Sequence, residues 1–282
     1  KALGLIDEVE NGQELVLAPS WQALSKEERA IQARTMEVYA AMVDDLDAYV
    51  GKVIQTLKDT GEYENTVIVF MSDNGAEHKT LSFVPGMNEM IASCCDNSLE
   101  NMGNANSYIF QKPGWARVSG VPSKYFKGYA TQGGILSPAI LSYPNAKEAQ
   151  GRYESFLSVM DIMPTFLDLA EVKHPSPEFQ GRQVLPMQGT SMRPLLDGQK
   201  GNIHAEDYVM GWELHYHRAI RKGDWKITFS QPPLGDRTWK LYNLAEDPYE
   251  HKDLSKQYPN KLAELLQEWD QYVKENDVYV PQ

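Results

Sequence analysis

Cysteine is nearly missing from this chain: Cys94 and Cys95 are its only two. Two thiols are too few for a disulfide scaffold or a four-thiolate metal centre. Adjacent cysteines are poorly placed to bond one another because the linkage is strained. The expectation is therefore two partly buried thiols acting as small hydrophobes. Long apolar runs are missing too. None approaches the roughly 20 residues that span a bilayer, so no transmembrane segment is expected. Positive charge is scarce: 27 Lys and Arg stand against 39 Asp and Glu, for a formal charge of −12. Nucleic-acid binding needs clustered Lys and Arg, so no nucleic-acid partner is expected. Repeats and low-complexity tracts are absent. There is neither an initiator Met nor a signal-peptide pattern, and the N-terminus is expected to be trimmed or truncated.

What is present is an ordinary globular composition, 42% hydrophobic and 23% charged over 282 residues. That length suggests about two domains. Residues 1 to about 24 read as irregular. Ser25 then opens a helix, with Glu28 completing a capping box. Tyr39, Met42, Val43, Leu46, Val50, Val53, Ile54 and Leu57 recur at spacings of three and four. They predict a long amphipathic helix with one face toward a core, ended by Gly61. Thr66–Met71 reads as a strand buried on both faces, because its apolar run does not alternate. Residues 78 to about 126 show no sustained period and read as a long loop on the rim of a site.

Ile135–Ser142 reads as a second buried strand. Ser158–Leu169 reads as a helix starting near Asp161, with Pro164 in its first turn. Residues 173–205 are loop-rich with one short helix near Met192. Tyr208–Glu213, His217–Arg221, Trp225–Phe229 and Trp239–Tyr242 read as short strands, with Lys222-Gly223-Asp224 as a hairpin turn. Pro259 opens a last helix with Leu262, Leu265, Leu266, Trp269, Tyr272 and Val273 on one stripe. The expected fold class is α/β. Part of a mostly parallel sheet flanked by helices occupies residues 1–204. A small antiparallel sheet with a C-terminal helix occupies residues 205–282.

The segment Ser72-Asp73-Asn74-Gly75-Ala76-Glu77 directly follows the first strand. Ligands of open α/β sheets collect beyond the carboxyl ends of the strands. Asp73 and Asn74 are hard oxygen donors of the kind Ca²⁺ or Mg²⁺ takes. Taken alone, the same residues also read as an Asn-Gly turn that closes a strand.

TVIVFMSDNGAE resembles the second metal-binding strand of the type I sulfatases, in the alkaline-phosphatase superfamily. Four further elements follow in the family's order. They are Lys127–Ile135 (with Gln132 where Glu is commoner), Asp161–Leu169, Arg218–Lys226 and Lys240–Glu250. The likeness covers most of the chain and runs toward the bacterial arylsulfatases. It implies an alkaline-phosphatase-like fold and the hydrolysis of a sulfate monoester, with a small sulfated ester as substrate. It implies one divalent cation, Ca²⁺ or Mg²⁺, with Asp73 and Asn74 as metal ligands. Lys127 is implied as the catalytic lysine that contacts the sulfate group, and Gly128, Gly133 and Gly134 as close backbone approaches. It also implies a periplasmic or secreted location more often than a cytoplasmic one. A net charge of −12 opposes an anionic substrate unless Lys127, Lys124 and the cation supply local positive charge.

The resemblance also marks what this chain does not carry. Sulfatases make a formylglycine nucleophile from C/S-x-P-x-R. Neither Cys94 nor Cys95 is followed by the required proline, and no Ser-x-Pro-x-Arg occurs. No strand bearing an early Asp pair precedes Thr66. Lys1–Ile6 matches a segment lying well past the nucleophile, and the family's catalytic histidine falls before residue 1. The expectation is the C-terminal portion of a sulfatase, inactive alone, whose partner is the missing N-terminal half of the same enzyme and its formylglycine. Two rivals stand beside it: a phosphodiesterase or phosphonate monoester hydrolase of the same superfamily, and a non-catalytic fragment or binding module. Of the six histidines, His78 can line the site. His215 and His217 alternate on a predicted strand and share a face, with a polar or rim role. His174, His204 and His251 receive none.

Overall fold

The computed structural model describes residues 17–146 and 151–280. The expectations for residues 1–16, including the segment Lys1–Ile6, lie outside the described residues. The chain divides into two compact units that interleave in sequence. The first comprises Lys1–Lys52, Met71–Pro138 and Val209–Gln282; the second comprises Val53–Phe70 and Ala139–Tyr208. No helix among the described residues is long and apolar enough to cross a membrane.

Helix α1 (Lys26–Asp59) starts where the capping box places it. Glu28 N–H donates to Ser25 Oγ at 3.1 Å, and Ser25 N–H donates to Glu28 Oε2 at 2.8 Å. It ends at Gly61, whose φ of 75° lets the chain turn back, so that the Gly61 and Glu62 N–H groups reach the Lys58 and Leu57 carbonyls. The apolar stripe, however, does not face a core. Tyr39, Met42, Val43, Leu46 and Val53 are exposed, and Thr35 is the buried residue. In the first unit the helix is held near its N-terminal end. Trp115 Nε1 donates to the Gln32 carbonyl, and Arg34 donates to that of Met102.

The expected long loop contains two short helices, α2 (Met87–Cys94) and α3 (Lys112–Gly120). Helices of little more than two turns show too few periodic positions to be read against the Asn, Ser and Gly around them. Cys94 and Cys95 are not free thiols. They form a disulfide with each other, Cα atoms 3.7 Å apart. Cys94 closes α2 and Cys95 passes into extended backbone. That change of direction at the helix end brings adjacent sulfurs together.

Strands β1 (Ile68–Met71) and β2 (Ala139–Ser142) pair in a two-stranded sheet. Here two expectations are corrected. The predicted strand from Ile135 starts later, because Gln132–Ile135 forms a helical turn, α4. Burial on both faces is also not observed: Phe70 is 42% and Ile140 64% exposed. In the second unit Ser158 caps the turn Val159–Asp161 in a capping box with Asp161. Helix α5 (Ile162–Leu169) follows directly. The carboxylate of Asp161 is fully buried and accepts from Ser158 N–H, Thr190 N–H and His204 Nε2 at 2.7–2.9 Å. A two-residue hairpin of β3 (Glu178–Phe179) and β4 (Arg182–Gln183) precedes α6 (Arg193–Leu196).

The C-terminal part of the first unit matches its expected pattern closely. Strands β5 (Val209–Leu214), β6 (His217–Lys222), β7 (Trp225–Phe229) and β8 (Trp239–Asn243) form an antiparallel sheet in that order. Helix α7 (Pro259–Glu275) packs against it. Gly211, Ile220, Ile227 and Leu241 align across the four strands. The three large side chains of that row, with Leu254, Leu265 and Trp269, make the buried cluster under the helix. Each is worth about 1.5–3 kcal/mol of burial. Gly211 is required in the row, because a Cβ there would lie 2.6 Å from the Tyr272 ring.

Strand β7 is buried on both faces. Ile227 faces the helix cluster, while Lys226 and Thr228 on the opposite face are buried as well. Alternation places these two on the face away from Ile227.

Candidate active site

The backbone between β1 and residue 78 is fixed by the segment 124–134, which lies some fifty residues downstream. The Gly75 N–H donates to the Gly134 carbonyl at 3.0 Å, and the Lys127 N–H donates to the Ala76 carbonyl at 3.1 Å. Gly75 sits so close to this segment that a Cβ on it would lie 1.8 Å from the Gly133 oxygen. Gly133 and Gly134 are equally confined. Cβ atoms there would meet the carbonyl oxygens of Tyr125 at 2.3 Å and Tyr129 at 2.0 Å. Three glycines therefore allow backbone to stack on backbone without side chains between. The two sequence motifs meet, and they meet through main-chain atoms.

Asp73 lies exposed at the tip of this arrangement, and Asn74 is half-buried beside it. The Asn74 Nδ2 donates to the Gly75 carbonyl at 2.9 Å. With the amide nitrogen engaged, the amide oxygen is the atom offered to a ligand. A carboxylate beside an amide oxygen suits a hard divalent cation in kind. In number it is a partial shell. Among the described residues no group of three or more His, Cys, Asp or Glu could hold a metal ion, whereas Ca²⁺ takes about six to eight oxygens.

The Lys127 Nζ pairs with Glu77 Oε2 at 2.9 Å. Its side chain remains 41% exposed, so the ammonium is accessible. Glu77 was not singled out in the sequence, although it closes the same motif. Burial raises its pKa, but the Lys79 N–H bond and the Lys127 ammonium outweigh that and hold the carboxyl below its ordinary range. His78 stacks on Phe126 with ring centroids 4.1 Å apart. Burial, with help from Lys79 and Lys127, pushes its pKa down, so the ring is neutral at pH 7.

The two histidines of the C-terminal sheet part company. His215 sits in the turn after β5 with φ of 50°, so it does not share a strand face with His217. His217 opens β6, is buried, and packs its ring 4.1 Å from that of Tyr129. Its Nδ1 accepts the Gln231 N–H at 3.1 Å, which leaves the proton of the neutral ring on Nε2. Burial, then the charges of His215, Lys79 and His78, bring its pKa down to about 4.

Behind the segment 124–134 lies a charged cluster that the sequence did not reveal. Lys226 and Glu250 are fully buried and pair at 2.6 Å. Lys226 Nζ also donates to Gln132 Oε1 at 3.0 Å, and Glu250 Oε2 accepts the Gln132 N–H at 2.9 Å. Lys124 donates to the Tyr242 hydroxyl at 2.9 Å, and burial lowers its pKa.

Comparison with known proteins points to one family. The Sulfatase family model matches residues 11–172. The model described as N-sulphoglucosamine sulphohydrolase, C-terminal, matches residues 124–276. An uncharacterized sulfatase of Schizosaccharomyces pombe is 43% identical over 289 residues, covering 99% of this chain and 50% of the relative. The arylsulfatase of Klebsiella aerogenes is 34% identical over 207 residues, covering 73% of this chain and 44% of the relative. The chain thus spans about half the length of these curated relatives. Among solved structures, Ps i-CgsB in complex with k-i-k-neocarrahexaose superposes with a TM-score of 0.57 at 25% identity, over 93% of this chain and 48% of that one. A phosphonate monoester hydrolase of Silicibacter pomeroyi superposes with a TM-score of 0.55 at 17% identity, over 92% of this chain and 44% of that one. The latter likeness is one of fold alone. Matched across more than half its length by the family model, and carrying its strand-tip Asp73-Asn74 against a glycine-built shelf, this chain belongs to the sulfatase family.

Proposed function

We propose that this chain is the C-terminal portion of a sulfuric ester hydrolase acting on sulfate monoesters. One observation carries the reading: main-chain bonds from Gly75 to Gly134 and from Lys127 to Ala76 bring the Asp73-Asn74 tip and the Lys127 loop together. In this reading Asp73 and Asn74 supply two oxygens to one divalent cation, Ca²⁺ or Mg²⁺. The N-terminal half of the same enzyme completes the shell, brings the formylglycine nucleophile, and contributes the strands that extend β1 and β2 into a larger parallel sheet. Such a cation, when bound, polarises sulfate oxygens. Lys127 supplies the positive charge that an acidic chain otherwise lacks, and its ammonium stabilises oxygen charge that develops as the ester bond breaks. Glu77 holds that ammonium in place until a sulfate group competes for it. The neutral rings of His78 and His217 line the same side without adding charge.

The test is hydrolysis of a chromogenic aryl sulfate by the enzyme that carries this chain. Asp73→Ala is expected to abolish divalent-cation affinity in calorimetric titration, with Asn74→Ala less severe because it removes a neutral donor. Lys127→Ala is expected to lower kcat/KM by roughly two orders of magnitude, as loss of a transition-state donor does. The 282-residue chain alone is expected to show no turnover above a boiled control. Unchanged cation affinity in Asp73→Ala would sink the metal assignment, and wild-type kinetics in Lys127→Ala would sink that of the lysine.

A further inference from the structure

We infer that Glu250 and Lys226 are positioning residues for the site, acting through Gln132; the inference rests on the hydrolase reading above. Neither touches the strand tip. Both reach Gln132, and between them they hold it twice. Glu250 Oε2 takes its backbone N–H at 2.9 Å, and Lys226 Nζ donates to its side-chain oxygen at 3.0 Å. The residue after Gln132 is Gly133, whose carbonyl faces Gly75, and the next is Gly134, whose carbonyl accepts the Gly75 N–H. The same segment is closed on its other side. Gly133 N–H and Thr131 Oγ1 both donate to the Lys124 carbonyl at 2.8 Å. One clamped residue thus sets the shelf under Asp73-Asn74 and the base of the loop that bears Lys127.

Charge and strain both favour a dedicated device. The Lys226–Glu250 pair has no access to solvent, and a buried pair that loses one partner leaves an uncompensated charge. An amide at position 132 adds no charge to the Lys226–Glu250 pair, in which one ammonium balances one carboxylate. Glu250 holds a left-handed φ of 64°, a conformation that a non-glycine residue keeps only where its surroundings impose it.

The experiment uses the enzyme that carries this chain, with Glu250→Gln and the double variant Glu250→Gln/Gln132→Glu. The double variant moves the carboxylate to the other partner of Lys226. Turnover per folded molecule is measured well below the unfolding temperature, and hydrogen exchange is followed at the Gly75 amide. Glu250→Gln is expected to lower kcat/KM at least tenfold per folded molecule and to speed Gly75 exchange at least tenfold. The double variant is expected to recover both to within about threefold. Glu250→Asp gives an intermediate loss and serves if Glu250→Gln does not fold. A variant that melts earlier yet keeps wild-type turnover and Gly75 exchange overturns the inference and leaves the pair a fold stabiliser. A double variant as impaired as the single one overturns it too. If the wild-type enzyme hydrolyses no sulfate ester, the hydrolase reading fails, and the exchange arm alone decides whether the clamp holds the tip.

Discussion

Gly75→Ala is the most direct probe of how the site is built. The new Cβ would stand 1.8 Å from the Gly133 oxygen, 2.8 Å from its carbonyl carbon and 3.0 Å from the Gly134 Cα. Side-chain carbons essentially never approach heavy atoms closer than 3.0 Å, so tip and shelf must separate by about 1.2 Å. No flexible side chain can yield, because every atom met is backbone. Separation breaks the Gly75–Gly134 bond of 3.0 Å, worth about 1 kcal/mol. Forced displacement in packed surroundings adds roughly 1–3 kcal/mol. The larger effect falls on function, since a misplacement of about 1 Å can cost on the order of a hundredfold in rate. The enzyme carrying Gly75→Ala is therefore expected to lose about 2–4 kcal/mol in urea unfolding. Its kcat/KM for an aryl sulfate is expected to fall by about two orders of magnitude. A variant that folds and turns over like wild type would show that the tip is not held by the shelf, and the coupling of the two motifs would have to be abandoned.

Three further outcomes are expected. Asp161→Ala leaves three donors around a fully buried carboxylate site without an acceptor, and is expected to cost about 3–5 kcal/mol at typical penalties for buried unpaired groups; a loss below about 1 kcal/mol in denaturant titration would contradict that network. His217 has a pKa depressed to about 4 in the fold against about 6.5 unfolded. The unfolded chain therefore binds more protons between these values, so the stability from the neutral ring is complete above about pH 6.5 and is lost as pH falls toward 4. In His217→Gln the acid-side fall in melting temperature should flatten, and an unaltered slope would argue against burial as its cause. The exposed apolar residues of α1 are expected to make the isolated chain associate or aggregate, and light scattering that shows a stable monomer would count against this.

Much of the fold was legible because local chemistry and packing agreed. Ser25 and Glu28 cap α1 as their spacing requires, and the four strands of the C-terminal sheet fall within a residue or two of their expected ends. The stripe on α7 buries Leu265 and Trp269. Legibility failed where tertiary context changed the meaning of a residue. Lys226 sits between Trp225 and Ile227 on an alternating strand, so sequence places it in solvent; only the arrival of Gln132 and Glu250 makes it a core residue. Asp73, Asn74 and Lys127 stand out only through resemblance, and the close packing of Gly75 on Gly133 and Gly134 gives a physical reason for the approach of their two segments. Glu77 was passed over because an acid at a loop end is ordinarily solvated, and its partner lies fifty residues away. The Cys94–Cys95 bond is not legible because strain in vicinal pairs argues against it, and the change from helix to extended backbone at the end of α2 is not visible in the sequence.

The bond from Gln132 to Glu250 joins residues 118 apart in sequence, and this governs when the site can exist during synthesis. Ribosomes add about 5–20 residues per second, so the shelf waits roughly 6–24 s after Gln132 is made for its anchor to be added. Throughout that interval the Gln132 N–H lacks its Glu250 acceptor, while the residues of β1 and α1 are already available to nascent-chain contacts. The shelf is thus completed only after all four strands of the antiparallel sheet have been synthesised. A premature stop before residue 250 releases a chain that holds Asp73, Asn74 and Lys127, yet lacks the Glu250 acceptor for the Gln132 N–H.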